Sequence, residues 1–250
     1  EAGYNGESRK TLEGVNLNLE ENIACLLAEF PSLAVKDKEA KHIHIGGSLD
    51  VDVIVCDEHI SNQYAIEIEI PNDYPASLPV VKEVSERIDK SYPHRYSDTS
   101  LCLATDVDMR VSLHPEYTLA EYVKKFVVPY FATYKYYEKY KVFPFGERAH
   151  GLKGTLEFYE DLFETTNFRE VYSLMSYTCL DKYRGHALCP CNHGEKIRNC
   201  HGDKVKTLQM VGILEFVRED LGLLSRILDF AKEEDRRKKI EQYIRETKRK

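Results

Sequence analysis

The sequence predicts an α+β fold: an N-terminal helix, an antiparallel meander of strands, a loop and further helices, and then a second, helical domain. Three observations support this prediction. Apolar residues recur at helical spacing in residues 17–33, alternate with polar residues through 41–71, and return to helical spacing from residue 118 onward. With 250 residues, 42% of them apolar, the chain can bury two cores. We predict domains at 1–151 and 152–250.

The first helix carries a start signal and a stop signal. Asn16 or Asn18 precedes a run of glutamates and an apolar stripe, and Pro31 follows the last apolar turn. Cys25 lies within the helix. We expect it in the core, because a free cysteine packs like a small hydrophobic residue.

The next segment predicts an antiparallel meander. Residues 41–55 and 63–71 alternate apolar and polar side chains, which is typical of strands with one wet face, and the polar residues 56–62 between them predict a hairpin turn. The pair Gly46–Gly47 predicts a bulge or bend. Residues 77–88 predict a third strand.

A loop and a long aromatic helix follow the meander. Residues 92–105, YPHRYSDTSLCLAT, predict a loop, and 118–140 predict a helix that Thr118 caps and Pro129 kinks or splits. The aromatic residues of this helix form either a core or a partner-binding face. The aromatic Pro/Gly stretch 141–151 predicts a loop that lines an active site or acts as a hinge.

The second domain has a helical pattern on both sides of a segment rich in cysteine, glycine and proline. Residues 155–166 and 168–180 predict two helices, and 208–239 predict a last one. Between them, residues 185–202 contain most of the domain's cysteines.

Charge and cysteine usage limit the classes of function. The formal net charge is −7, and because the last sixteen residues carry eight basic and three acidic groups, the rest of the chain stands at −12. An acidic body argues against nucleic-acid binding, and no apolar run is long enough for a membrane span. The basic tail is either a solvated helix end or a contact for an acidic partner. Seven cysteines with clustered histidine indicate metal binding in a reducing compartment, so we expect a cytoplasmic protein.

Four residues of metal-ligand type fall within thirteen positions: Cys189, Cys191, Cys200 and His201. Three thiolates and one imidazole complete a closed, four-coordinate structural zinc site, so we predict a bound Zn²⁺. The segment CPCNHGEKIRNCHG resembles the SEC-C motif, a small zinc knuckle. His193 stands where that family usually has serine, so it is not expected to be a ligand. The resemblance implies either a contact with a partner protein or a structural staple for the surrounding helices.

Cys102 is either a small apolar residue in a strand or a reactive thiol. The element order resembles the ubiquitin-conjugating enzymes over about residues 15–150, and Tyr74, Pro75 and Pro79 match the family's Tyr-Pro…Pro stretch. The family's His-Pro-Asn motif precedes its nucleophilic cysteine by eight residues. Here His94 precedes Cys102 by eight residues, and a leucine follows the cysteine. The resemblance therefore implies that Cys102 is the nucleophile.

Two departures from the family pattern bear on the function. The family's asparagine is replaced by His94, which either supplies a ring N–H to the reacting oxygen or is a loop residue bonded to backbone. The chain also lacks tryptophan, which the family has beyond its cysteine. The absence of tryptophan, together with the segment FPFGERAHG, makes the sequence resemble the bacterial ubiquitin-conjugating-like proteins of CBASS antiphage operons. That likeness implies a thioester or isopeptide link to the C-terminus of a cGAS-like nucleotidyltransferase.

The reaction also needs a group that helps the attacking lysine lose its proton. Asp98, Asp106 and Asp108 flank Cys102 and are either such bases or solvated loop carboxylates; His114 and His150 are candidates by residue type alone. No glycine-rich phosphate loop is present, so ATP activation has no evident site in the chain.

Two other functions compete with conjugation. The same fold can act as a non-catalytic binding module that recruits or regulates the nucleotidyltransferase, with an unreactive Cys102. Alternatively, Cys102 and His94 form a cysteine hydrolase.

Overall fold

The computed structural model describes residues 18–226, except residues 40, 115, 116, 148 and 150. The chain divides into two compact units. The first unit contains the residues up to Ala104 together with Ser112–Gly146. The second contains Thr105–Val111 together with the residues from Glu147 onward.

The first helix, α1 (Leu19–Glu29), begins at a complete capping box. The Asn18 side chain accepts a hydrogen bond from the Glu21 N–H at 2.9 Å, and the Glu21 carboxylate accepts one from the Asn18 N–H at 2.9 Å. Asn16 lies outside the described residues. The prediction that Cys25 is a core residue is wrong, because the helix buries Ile23 and Leu26 and leaves Cys25 exposed on the solvent side.

Four antiparallel strands form one sheet in the order β1-β2-β3-β4. They are β1 (Leu33–Lys38), β2 (His42–Val55), β3 (Glu58–Pro71) and β4 (Val80–Glu83). The sequence reading missed β1, because only Leu33 of this strand is buried and no alternation is visible. The third predicted strand is present as β4, which is shorter than its pattern suggested.

The β2–β3 hairpin has a tighter turn than predicted. Cys56 and Asp57 alone form it, with φ values of 48° and 64°, as a two-residue turn of this hand requires. The β2–β3 register is continuous through Gly46 and Gly47, so the irregularity predicted there lies instead in β1, between Val35 and Asp37. Glycine is still needed at 47, because a Cβ would lie 2.1 Å from the Ser32 carbonyl oxygen.

Beyond the sheet, α2 (Asp106–Leu113) occupies a stretch that the sequence reading left without a helix. The long predicted helix then forms α3 (Leu119–Tyr122), a π-helical turn (Val123–Val127) and α4 (Val128–Tyr140). Thr118 caps it by accepting the Glu121 N–H at 3.2 Å. The π-helical turn lies directly before the first turn of α4, which contains a proline. Proline cannot supply an N–H to a regular helix, and this accounts for the irregular turn before it.

The aromatic residues of α3 and α4 mainly form a core. Phe131 is fully buried and stacks on Tyr64 of β3 with ring centroids 4.1 Å apart. Tyr122 is also buried, and its hydroxyl donates to the Pro79 carbonyl at 2.8 Å, which anchors the chain segment before β4. Of the two interpretations of these side chains, the core therefore accounts for most of them, although Tyr140 is exposed.

The second unit is helical, with α5 (Gly151–Phe163), α6 (Phe168–Thr178), a 3₁₀ turn (Ile197–Asn199) and α7 (Gly202–Leu208). Residues 214–226 are also helical. The last predicted helix does not begin at residue 208, because Gly212, with φ of 82°, separates α7 from the next helix. The buried core of this unit includes Phe158, Tyr159, Phe163, Val171, Leu174, Met175, Ile197, Val205, Leu208, Ile213 and Val217.

Candidate functional site

Cys102 lies on a short loop that is tied back on itself and onto the sheet. Its backbone N–H donates to the His94 carbonyl at 2.8 Å, and Arg95 forms an antiparallel bridge with Leu101. The Leu101 N–H in turn donates to the Val81 carbonyl of β4 at 2.9 Å. Cys102 is half-buried, so it is neither a core residue nor a fully solvated one. These contacts hold the Cys102 backbone beside the β4 edge of the sheet.

The tip of this loop, the 96–100 turn, holds a second functional group against the thiol. The Tyr96 N–H donates to the Ser100 carbonyl at 2.9 Å, and the Thr99 N–H donates to the Tyr96 carbonyl at 3.1 Å. The Tyr96 hydroxyl donates to Cys102 Sγ at 3.3 Å. Sequence reasoning missed Tyr96, because one tyrosine in a polar loop gives no signal of its own. The contact is visible only once the turn is closed.

The structure brings His94 and Cys102 together through the backbone. Besides the Cys102 N–H, the His94 carbonyl accepts the Tyr130 hydroxyl of α4 at 3.0 Å. The His94 ring packs edge-on against Tyr92 and Phe143, with centroids 5.6 and 5.3 Å away. Phe143 belongs to the aromatic 141–151 loop, which was predicted either to line an active site or to act as a hinge. This loop therefore contacts His94, the residue whose carbonyl accepts the Cys102 N–H.

Burial and neighbouring groups set the protonation of Tyr130. The pKa of Tyr130 is raised well above its ordinary value, mainly by burial and also by the proximity of Tyr92 and Cys102, while the Arg95 guanidinium acts in the opposite direction. Tyr130 therefore stays protonated and donates to the His94 carbonyl throughout the physiological pH range. It is a fixed support for the loop.

The other predicted acid–base candidates have different surroundings. The Asp98 carboxylate accepts the Ser100 N–H at 3.1 Å and the Ser100 hydroxyl at 2.6 Å, and these bonds lower the pKa of Asp98. Asp106 and Asp108 lie in the first turn of α2, where the helix dipole favours carboxylates.

The two histidine candidates were chosen by residue type alone. Partial burial lowers the pKa of His114, whose ring packs edge-on against Tyr117. His150 lies outside the described residues.

The second candidate site is the cluster of Cys189, Cys191, Cys200 and His201. Their ligand atoms all lie within 4.8 Å of one another. His201 Nδ1 is 3.3 Å from Cys189 Sγ and 3.1 Å from Cys200 Sγ, and the sulfurs of Cys191 and Cys200 are 3.5 Å apart. Sulfurs on one tetrahedral zinc are separated by roughly 3.8 Å when each Zn–S bond is about 2.3 Å. The predicted ligand set therefore fits a metal ion such as Zn²⁺, and His193, as expected, is exposed and outside it.

Local backbone geometry positions these ligands. The Cys189 N–H donates to the Glu195 carbonyl at 2.8 Å across a short hairpin, and the chain reverses through Asn192 and Gly194, which have φ values of 60° and 84°. Gly202 starts α7 directly after His201. A Cβ at residue 202 would lie 2.8 Å from the Ile197 carbonyl oxygen, so glycine allows the close approach that the adjacent ligands need.

The histidine ligand is oriented for metal binding. Its Nε2–H donates to the Phe163 carbonyl of α5 at 3.0 Å, which leaves Nδ1 as the acceptor atom beside the sulfurs of Cys189 and Cys200. Burial raises the pKa of Cys200 to about 12, and the neighbouring thiols of Cys189 and Cys191 add to this effect. Burial also raises the pKa of Cys189. A divalent cation reverses this preference, because it binds thiolates.

No described helix is both long and apolar enough to cross a lipid bilayer. The chain matches no known protein-family model and no curated protein. A function for this protein therefore has to be argued from the chemistry of the Cys102 loop and the Cys–His cluster.

Proposed function

We propose that the protein is a cysteine-dependent conjugating enzyme, in which Cys102 carries the C-terminus of another protein as a thioester and transfers it to a lysine. The observation that carries the proposal is that the half-buried Cys102 lies on a closed loop, with a hydroxyl donor 3.3 Å from its sulfur. The order of helix, four-stranded meander, loop and helices supports it, since this is the order expected of a ubiquitin-conjugating-enzyme-like domain.

The chemistry takes place in two balanced steps. The donor is a protein C-terminus activated as an acyl adenylate or a thioester. The Cys102 thiolate attacks its carbonyl carbon, and AMP leaves from the adenylate or the thiol leaves from the thioester. A neutral lysine amine then attacks the Cys102 thioester. The C–S bond breaks, an amide forms, the thiolate is regenerated and the amine proton passes to solvent or a base. In this scheme, the His94 ring N–H is one candidate donor to the oxyanion, and the alternative is that His94 is a loop residue bonded to backbone.

The proposed partner is a cGAS-like nucleotidyltransferase in antiphage defence, whose C-terminus is the group carried. This assignment depends on the resemblance to CBASS conjugating proteins. The second unit contributes the Cys–His cluster, in which Cys189, Cys191, Cys200 and His201 would hold a zinc ion. The ion would cross-link the hairpin that carries the first two cysteines to the start of α7 and so contribute folding free energy.

The test is adduct formation with the nucleotidyltransferase and an ATP-dependent activating enzyme. Wild type is compared with Cys102→Ala and with Cys56→Ala, which removes an exposed thiol elsewhere in the first unit. We expect a reductant-sensitive adduct in wild type and Cys56→Ala, and none in Cys102→Ala. Equal non-covalent binding by all three proteins, without an adduct, would support the binding module instead. Release of the free C-terminus without any lysine-linked product would indicate a hydrolase.

A further inference from the structure

We infer that the Tyr96 hydroxyl is the hydrogen-bond donor that stabilises the reacting sulfur and the acyl oxygen on Cys102. This inference rests on the proposed thioester function and names a residue for which neither the sequence pattern nor the family resemblance predicts a role. It assigns to a tyrosine the electrostatic task for which His94 is the sequence-based candidate.

The geometry around the thiol supports this assignment. The Tyr96 hydroxyl is 3.3 Å from Cys102 Sγ, within range for an O–H donor to sulfur. The carbonyl oxygen of an acyl group on that sulfur lies only two bonds away from it. Tyr96 is 54% exposed, so its ring has room to swing by the small distance that separates sulfur from oxygen.

Backbone hydrogen bonds hold the segments that carry Tyr96 and Cys102 close together. The Ser100 and Tyr96 backbone bonds close the turn that carries the tyrosine, and the Cys102 N–H is held by the His94 carbonyl. A donor that is already positioned where negative charge develops costs little reorganisation during the reaction.

The neighbouring side chains have other contacts. The His94 ring packs edge-on against Tyr92 and Phe143, and the Tyr130 hydroxyl donates to a backbone carbonyl. The Asp98 carboxylate accepts two hydrogen bonds from Ser100, and these bonds favour its charged form. The Tyr96 hydroxyl, in contrast, contacts the Cys102 sulfur directly.

The step assigned to Tyr96 involves no net transfer of a proton or of electrons to the tyrosine. The hydroxyl donates a hydrogen bond to the Cys102 thiolate before acylation. When a lysine amine attacks the thioester, the C=O electron pair moves to oxygen, and the same hydroxyl donates to that oxyanion. The carbonyl re-forms as the C–S bond breaks, and the thiolate leaves with its hydrogen bond restored.

The first experiment needs no partner protein. Alkylation of Cys102 by iodoacetamide at pH 7 is followed by peptide mass spectrometry in wild type, Tyr96→Phe and Tyr140→Phe. Tyr140 is the matched control, because its exposed hydroxyl bonds to Glu58. We expect Tyr96→Phe to slow alkylation about 3- to 10-fold, since the thiolate loses a charge-assisted hydrogen bond. Tyr140→Phe should alkylate at the wild-type rate.

The second experiment separates the inference from the proposed function. Each protein is loaded by exchange with a short peptide thioester, in which the Cys102 thiolate displaces a small thiol, and discharge to free lysine is then timed. We expect Tyr96→Phe to discharge about 10- to 100-fold more slowly than wild type. Circular dichroism checks that each variant is folded.

The outcomes are distinct. If wild type discharges to lysine and Tyr96→Phe matches it in both experiments, the Tyr96 assignment is wrong while the conjugating function stands. If wild-type Cys102 cannot be loaded, or does not transfer to lysine, the proposed function is wrong. Slower alkylation in Tyr96→Phe would then still establish the hydrogen bond to the thiolate. Unchanged alkylation would show that this hydrogen bond is also absent.

Discussion

The carboxyl of Asp220 gives a quantitative test of the packing in the second unit. Asp220 lies in the 214–226 helix, where it accepts the Tyr159 hydroxyl at 2.9 Å. Burial raises the pKa of Asp220 to about 6, the negative charges of Asp106 and Glu219 act in the same direction, and the Tyr159 hydrogen bond opposes them. The folded protein therefore holds a proton on this group that the unfolded chain, with an ordinary pKa near 3.8, releases.

The sign and size of the effect on stability follow from proton linkage. Because the folded state binds the proton more tightly, the stabilisation is complete below about pH 3.8 and is lost as the pH rises through about 6. A difference of about two pKa units corresponds to roughly 3 kcal/mol. Asp220 is only half-buried, so solvent screening reduces the expected loss to about 1–2 kcal/mol.

The perturbation that tests this is Asp220→Asn, which keeps an acceptor for the Tyr159 hydroxyl and cannot ionise. The free energy of unfolding in urea is measured by circular dichroism from pH 4 to 7.5 for wild type and variant. At each pH, the free energy of unfolding of wild type is subtracted from that of the variant. This subtraction removes the contributions of groups that titrate equally in both proteins. We expect the variant to gain about 1–2 kcal/mol relative to wild type between pH 4 and 7, and then to reach a plateau.

The control is Glu215→Gln, which removes an exposed charge from the same helix that is not among the groups shifting the pKa of Asp220. It should change the unfolding free energy by less than about 0.5 kcal/mol, as is usual for exposed sites. A difference curve for Asp220→Asn that is flat with pH, or that falls as the pH rises, would refute the burial argument.

Three further predictions concern the metal site and the first core. Cys200→Ala should abolish stoichiometric zinc binding, measured by a metallochromic assay after dialysis, and should lower the free energy of unfolding by on the order of 3 kcal/mol or more. Replacing the exposed Cys25 with alanine should change neither quantity. Equal zinc content in the two variants would contradict the ligand set. Phe131→Ala should cost about 3–5 kcal/mol in urea unfolding, because a fully buried, stacked ring is lost. Asn22→Ala should lower the free energy of unfolding by about 1–3 kcal/mol, because the buried Leu119 N–H loses the acceptor that lies 3.1 Å away, whereas Asn22→Asp keeps an acceptor. A loss below about 0.5 kcal/mol in the alanine variant would mean that this hydrogen bond is dispensable.

The sequence predicted those elements whose residues have a regular burial pattern. The β2–β3 pair was visible because its apolar side chains face one core at a period of two, and α1 was visible through its cap and stripe. The strand β1 and the helix α2 were missed. Five of the six residues of β1 are exposed, and α2 spans only Asp106–Leu113, so neither is long or regular enough to give a periodic signal.

The metal cluster was predictable because its ligands are close in sequence and have few other uses. Three thiols and an imidazole within thirteen residues can hardly avoid each other once Asn192 and Gly194 reverse the chain. The carbonyl of Phe163, which orients His201, was not predictable, because any backbone carbonyl can take that role and only packing selects one.

The sequence by itself determined the four-strand meander's principal hairpin, the aromatic core of the long helix and the identity of the clustered Cys–His ligands. Each depends on patterns or residue types that act over short stretches of chain. Only the tertiary structure decided that Cys25 faces solvent, that Cys102 is half-buried, and that the Tyr96 hydroxyl contacts the Cys102 sulfur. These outcomes depend on which way a loop closes and what packs beside it. Such contacts are set by the free energy of the whole fold, and no local pattern encodes them.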